Sequence, residues 1–357
     1  MSKFWSPIVD KLVPYTPGEQ PKHRHFVKLN TNENPYGPSP KALAAMQKTV
    51  ADEMRLYPDP VAGDLRAAIA KTHGLKPEHI FVGNGSDEVL AHAFNAFFRD
   101  KGKLRFADVT YSFYPTFCQL YEIPFDAVPL DDSFRYDLTD YLGPKAGVEA
   151  GVVIANPNAP TGIAMGLDAI EDVLKANPDV VVLIDEAYVD FGAESAMKLI
   201  DRYENLLVVQ TFSKSRSLAG LRVGFAAGHP HLIEGLTRIK DSFNSYPLNR
   251  LSLSGGLAAW NDRAWFEETR RKVMIDRDRT AESLRDLGFS VLPSSANFVF
   301  ASHGSTPAEE IFAGLREHGV LVRHFKQPRI HNWLRISIGT AEDCQALISS
   351  TRDILGV

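Results

Sequence analysis

The chain has 357 residues, 44% of them hydrophobic and 23% charged, with a formal net charge of −5. That is an ordinary globular composition for one large or two modest domains, and it offers no basic field for nucleic acid. Two cysteines, Cys118 and Cys344, without a CxxC pair argue against a disulfide framework or a cysteine zinc site, and no metal is expected. No apolar run is long enough to span a membrane, and the opening MSKFWSPIVD lacks the apolar segment of a signal peptide. A cytoplasmic enzyme or binding protein is therefore expected.

Residues 1 to about 40 carry Pro7, Pro14, Pro17, Pro21, Pro35, Pro38 and Pro40 and read as an extended arm without a helix. Within it, Asn30-Thr31-Asn32-Glu33-Asn34-Pro35 is either a plain Asx-turn cluster or a turn that presents hydrogen-bonding groups. A helix is expected from Ser39 as N-cap, with Pro40 behind it, to about Met54, and a second from Gly63 to Thr72. Tyr57-Pro58-Asp59-Pro60 lies between them as a rigid extended piece. His79 to Val82 is a short strand running into Gly83-Asn84-Gly85-Ser86-Asp87-Glu88 and then a helix with Val89, Leu90, Ala93, Phe94, Phe97 and Phe98 on one face. Such a turn leaves free N–H groups at a helix start and suits an anion, although a simple Ser86 or Asp87 cap has the same appearance. A dinucleotide fingerprint fails, because the third glycine position holds Glu88. Lys103 to Ala107 is the next strand. The aromatic stretch behind it includes Tyr111, which either packs in the core or offers its face to a flat ring.

Gly151 to Ala155, Val180 to Ile184 and Leu206 to Val209 are buried strands ending in Asn156-Pro157-Asn158, in Asp185-Glu186-Ala187-Tyr188 and in Thr211-Phe212-Ser213-Lys214. Their near-equal spacing leaves one helix-sized segment between each pair, as in successive βαβ units, so Asp185 and Lys214 share the sheet edge where ligands bind. Lys214 between two serines, with Arg222 behind, is either a solvated loop lysine or an amine in a phosphate pocket, able to carry an aldehyde cofactor as a Schiff base. From about Pro247 the pattern changes to a long amphipathic helix, Asp262 to Leu287, and then short strands at 289–292, 297–300, 320–323 and 333–338 alternating with helices at about 306–318 and 341–354. Arg335, inside one of these apolar strands, needs a partner: a structural ion pair or an anionic substrate. The fold class is thus α/β, a large domain with a mostly parallel central sheet flanked by helices plus a smaller α/β C-terminal domain. The expected division is an arm at 1–44 that joins the small domain, a large domain at 45–246 and a small domain at 247–357.

The ordered motifs LNTNENPYGPSP, LYPDP, GNGSDE, TYSFY, NPNAPTG, DEAY, TFSKSRSLAGLRVG, SSANFVF and WLRISIGT cover nearly the whole chain. With them the sequence resembles the fold-type I aminotransferases that use pyridoxal 5′-phosphate, and among those the histidinol-phosphate aminotransferase family. The resemblance implies transamination between L-histidinol phosphate with 2-oxoglutarate and imidazole-acetol phosphate with L-glutamate, a step of histidine synthesis. An aromatic amino acid aminotransferase or a phosphothreonine decarboxylase is the alternative. It implies that Lys214 holds the cofactor aldehyde and moves the Cα proton, that Asp185 keeps the pyridine nitrogen protonated, that Tyr188 bonds the phenolate oxygen and that Tyr111 stacks on the ring. Ser86, Asp87, Ser213 and Arg222 would hold the phosphate, joined by Tyr57 from the other subunit of a homodimer. Arg335, helped by Arg323, would bind the substrate anion, with Tyr15, Asn32 and Asn297 as further substrate contacts. One departure stands out: the wider family has Asn directly before Pro-Thr-Gly, and here Ala159 occupies that place with Asn158 one position earlier. Asn158 is carried as a candidate for the phenolate contact, and Tyr188 is expected to bear more of it.

Overall fold

The computed structural model describes residues 2–15, 18–20, 26–143 and 149–357. Residues 16–17 and 21–25 of the expected arm, Pro17 and Pro21 among them, lie outside the described residues. The arm is not wholly extended: a short helix α1, Pro7–Lys11, starts on a proline whose fixed φ suits a first helical position. The arm ends in a two-residue strand β1, Val27–Lys28, paired in parallel with β11, Val320–Leu321, near the far end of the chain.

Helix α2, Pro40–Thr49, starts where the cap signal puts it, the Ser39 hydroxyl accepting from the N–H groups of Lys41 and Ala42. It stops at Thr49 rather than Met54, and a 3₁₀ turn, Asp52–Arg55, follows. Helix α3 spans Gly63–Thr72 as expected. Then come β2 (Ile80–Gly83), α4 (Ser86–Ala93) with a π-helical turn Phe94–Phe98, β3 (Leu104–Ala107), α5 (Phe113–Tyr121) and β4 (Phe125–Val128). Strand β5 (Gly151–Ala155), helix α6 (Leu167–Ala176), and strands β6 (Val181–Asp185), β7 (Leu206–Thr211) and β8 (Gly224–Gly228) complete the large sheet, in the order β2-β8-β7-β6-β5-β3-β4. All neighbours are parallel except β8, which runs antiparallel to β2 and β7.

Strands β5, β6 and β7 are buried at every residue, so the sheet is covered on both faces. Alternate residues feed opposite cores: Val152 and Ile154 pack with Ile170 and Val208, whereas Val153 and Ala155 pack with Phe94 and Leu207. The expected helix between Asp185 and Thr211 is absent. That crossover is made by two 3₁₀ turns, Val189–Phe191 and Ala196–Leu199, while α6 joins β5 to β6 as expected.

Helices α7 (Pro230–Phe243), α8 (Arg250–Asn261) and α9 (Arg263–Asp286) lead to a second, antiparallel sheet. Its members are β9 (Phe289–Val291), β10 (Phe298–His303), β12 (Arg323–His324) and β13 (Leu334–Ser337), ordered β12-β13-β10-β9. Helices α10 (Ala308–Glu317) and α11 (Ala341–Leu355) pack against it, α11 held at its start by a capping box of Thr340 and Asp343. Leu29 of the arm is buried in the same core as Val299, Val322 and Ile336. The arm thereby reaches the carboxyl edge of the large sheet from the side of the second one.

Candidate active site

Parallel pairing brings the ends of the central strands into line, with Ala155 opposite Asp185 and Asp185 opposite Val209. A cavity of about 380 Å³ opens along this edge. It is lined by Ser86, Asp87, Tyr111, Asp185, Tyr188, Ser213, Lys214 and Arg222 from the large sheet, by Tyr15 and Asn32 from the arm, and by Arg323 and Arg335 from the second sheet.

One end is built for a dianion. Helix α4 begins just after β2 with Gly85 as N-cap, and among the described residues no side chain caps its first N–H groups. Gly85 holds φ at +87°, and a Cβ there would stand 2.6 Å from Arg222 Nη2. A Cβ on Gly224 would stand 2.3 Å from the Ser86 nitrogen, so only glycine lets β8 close on the helix start. The N–H groups of Ser86 and Asp87, the Ser213 hydroxyl and the Arg222 guanidinium thus converge, a donor set that matches a phosphate. The Asp87 carboxylate holds the walls together, accepting from Tyr111 Oη at 2.9 Å and Arg222 Nη2 at 3.0 Å.

At the floor, Asp185 is 5% exposed. Burial raises its carboxyl to about 6, and the negative charge of Asp87 adds to the rise. Two donors oppose that shift: Tyr114 Oη at 2.8 Å and the Ala187 N–H at 3.2 Å. No cation pairs with Asp185 among the described residues. A protonated ring nitrogen is the kind of partner this carboxylate lacks, and the site therefore fits a pyridinium-bearing cofactor with a phosphate. Tyr114 carried no sequence signal of its own; it sits in the first turn of α5, three residues after Tyr111, within the same aromatic stretch.

Lys214 Nζ lies 5.8 Å from the Tyr188 ring centroid and donates to the Thr31 carbonyl at 3.3 Å. The Asn34 side chain in turn donates to the Lys214 carbonyl at 3.0 Å. The arm turn therefore roofs the lysine on two sides.

Arg323 and Arg335 occupy the opposite end, directly across from one another on β12 and β13. Like charges facing across a strand pair repel unless an anion bridges them. No carboxylate among the described residues pairs with either. Arg335 Nη2 donates to the Asn30 carbonyl at 2.8 Å, its Nε is buried without a partner among the described residues, and burial pulls the guanidinium below its ordinary value. Phe325, Gln327 and Ile330, which carried no sequence signal, complete this end.

Three expected residues do not line the cavity within one chain. Asn158 is buried, its Nδ2 donating to the Val109 carbonyl at 2.9 Å and its Oδ1 accepting from Thr110 Oγ1 at 2.8 Å; Ala159 lines the cavity instead. Asn297 is buried behind the arm, its Nδ2 donating to the Asn32 carbonyl at 2.9 Å. Tyr57 is 78% exposed and stacks on Tyr246. Among the described residues one group of potential metal ligands converges, Glu204, His229 and His231, on the surface away from the cavity. His229 Nδ1 there accepts from the His231 N–H, at the positive start of α7, which gives a cation no advantage.

The fold is that of the class I and II aminotransferases, and the model of that family matches residues 24–350. Over 99% of both chains the sequence is 58% identical to histidinol-phosphate aminotransferase 1 of Bordetella parapertussis. It is 59% identical to the histidinol-phosphate aminotransferase of Pseudomonas entomophila, over 98% of this chain and 100% of that one. The crystal structure of histidinol-phosphate aminotransferase from Sinorhizobium meliloti in complex with pyridoxal-5′-phosphate shares the fold at a TM-score of 0.90, with 23% identity over 100% of this chain and 98% of that one. The chain belongs to the histidinol-phosphate aminotransferase family.

Proposed function

We propose that the protein transfers an amino group between L-glutamate and imidazole-acetol phosphate, giving 2-oxoglutarate and L-histidinol phosphate, with pyridoxal 5′-phosphate as cofactor. The observation that carries this reading is the pair Arg323 and Arg335 facing Lys214 and Asp185 across one cavity. An anion-binding end set opposite an amine suits a substrate with a carboxylate or phosphate at one end and an amino carbon at the other.

Bound here, the cofactor would supply an aldehyde carbon for the amino group and a ring as sink for the electron pair at Cα. Lys214 Nζ takes the proton from the substrate Cα and hands it on inside the cavity. Asp185, ionised, holds a proton on the ring nitrogen, and Tyr188 offers its hydroxyl to the ring oxygen. Ser86, Asp87, Ser213 and Arg222 would fix the phosphate, and Tyr111 would lie against the ring. Arg335 and Arg323 seat the substrate anion beneath the arm.

The test is a spectrum of the cofactor-loaded enzyme. L-histidinol phosphate without a keto acid should bleach the visible band rapidly, and 2-oxoglutarate should restore it. Faster bleaching by phenylalanine or tyrosine would replace the substrate with an aromatic amino acid. Release of CO2 would point to a decarboxylase.

The protein works as a homodimer in this reading. Met54, Leu56, Tyr57, Val61, Phe243 and Tyr246 form an exposed apolar strip around the stacked Tyr57 and Tyr246, which favours coverage by a second copy. Tyr57 would then reach the partner's phosphate cradle. Co-expressing Lys214→Ala with Tyr57→Ala chains should recover activity that neither variant has alone, because one site of the mixed dimer is intact. No recovery in a mixed dimer would place Tyr57 outside the site. The arm at 1–44, the large domain and the small domain are retained as structural units. Helix α8 falls within 247–357 in this division, yet it packs against the large domain, where Trp260 Nε1 donates to Thr72 Oγ1 of α3 at 2.9 Å. No helix among the described residues is long and apolar enough to cross a membrane, and the two free, buried cysteines suit a cytoplasmic setting.

A further inference from the structure

Asn32 stands in the cavity wall, yet every polar group it has is already used. Its backbone N–H donates to Ser337 Oγ at 2.8 Å, and Ser337 Oγ donates to its Oδ1, also at 2.8 Å. Its carbonyl accepts from Asn297 Nδ2 at 2.9 Å, and its Nδ2 donates to Tyr188 Oη at 3.0 Å. The residue is 1% exposed and sits at φ +56°, a left-handed conformation that asparagine tolerates better than most side chains. The side chain is thus tied at both ends, its oxygen to Ser337 and its nitrogen to Tyr188.

The Tyr188 ring is fixed separately, edge-on to Phe298 at 5.1 Å between centroids. That contact leaves the hydroxyl hydrogen free to rotate. Among the described residues no acceptor takes it, and the oxygen is engaged by Asn32 alone. We infer that Asn32 is a positioning residue for Tyr188: its side-chain N–H occupies the phenol oxygen and turns the hydroxyl hydrogen into the cavity. Ser337 and Asn297 hold the Asn32 amide in the orientation this needs. Ser337 lies two residues beyond Arg335 on β13, so the strand that seats the substrate anion also sets the donor on the cofactor side. An incoming hydrogen bond also polarises the phenol O–H and makes it a stronger donor.

This inference rests on the proposed role of Tyr188 toward the ring oxygen of the cofactor. It is tested by the pH at which the visible band of the loaded enzyme half-titrates, a readout of the proton on the nitrogen that Lys214 contributes. A donor on the neighbouring anionic oxygen stabilises that oxygen once the proton has left, so losing the donor moves the half-point upward. The charged and titratable groups facing the hydroxyl are Lys214, Arg335, Tyr111 and Asp185, and all are retained in the variants.

Tyr188→Phe should raise the half-point; if it does not, the role of Tyr188 fails first and the inference with it. Asn32→Gly keeps the left-handed backbone and both backbone hydrogen bonds, and should raise the half-point by about half a pH unit. In the Tyr188→Phe background the same change should add nothing. An equal shift in both backgrounds, or no shift with Tyr188 present, would overturn the inference while leaving Tyr188 its role. Asn32→Asp keeps the Ser337 bonds but turns an acceptor toward Tyr188, drawing the hydroxyl hydrogen away from the cavity. It should move the half-point at least as far as Tyr188→Phe, and a wild-type titration would overturn the inference.

Discussion

A Lys214→Ala chain should lose amino transfer by at least about 10⁴-fold, the upper end of what a positioned general base contributes. The structure isolates this lysine for that role. It follows the central strand β7, its amine reaches only a backbone carbonyl of the arm, and no second amine lines the cavity among the described residues. The phosphate cradle of Ser86, Ser213 and Arg222 does not depend on the amine, so the variant should still bind the cofactor. Its visible spectrum should be that of the free aldehyde, responsive to added amines. The measurement is turnover together with that spectrum, on protein made in a host without the wild-type gene. Full activity would remove Lys214 from the chemistry.

Asp185→Asn should lower kcat by about 10²–10³-fold with little change in folding, because the amide keeps the shape and can still accept from Tyr114 Oη. The variant also has a pH signature. Burial, helped by Asp87, raises the Asp185 carboxyl to about 6 in the cofactor-free chain, so the group holds a proton below that pH. Taking up a ring with a protonated nitrogen requires the ionised form. Cofactor affinity should therefore fall as pH drops through about 6, by up to about tenfold per pH unit from this group. In Asp185→Asn that component should vanish. Equilibrium titration of cofactor into both proteins across this range checks it, and parallel profiles would show that Asp185 does not face the ring.

The positions of Lys214 and Asp185 were legible because each follows a β-branched run buried on both faces. Such runs mark central parallel strands, and the ligand edge follows from the direction of the strands. Arg335 was legible for the opposite reason, as a charge inside an apolar strand. Strand β8 was not seen, since Gly-Phe-Ala-Ala-Gly carries almost no strand propensity; the close approach of Gly224 to the start of α4 accounts for the small residues. Helix α5 was hidden by its aromatics, which serve either state. The turns between β6 and β7 occupy a helix-sized interval without a helix, because spacing records the length of a connection and not its conformation. Asn158 and Asn32 show a further limit: residue type places an amide near a site, but only the neighbours decide which of its atoms remain free.

The pairing of β1 with β11 joins residues 27–28 to 320–321. The roof over Lys214 thus hangs from a strand near the other end of the chain. During synthesis the chain emerges from the ribosome N-terminus first, so the arm waits through most of translation for the strand it docks on. The central sheet can assemble earlier, with Lys214 and Asp185 already on its edge but open to water. Completion of the pocket is a late event of long sequence separation, and such closures are slow. Nascent chains stalled before Val320 should therefore display the reactive lysine uncovered, and the finished protein acquires its enclosed site only after the last strands leave the exit tunnel.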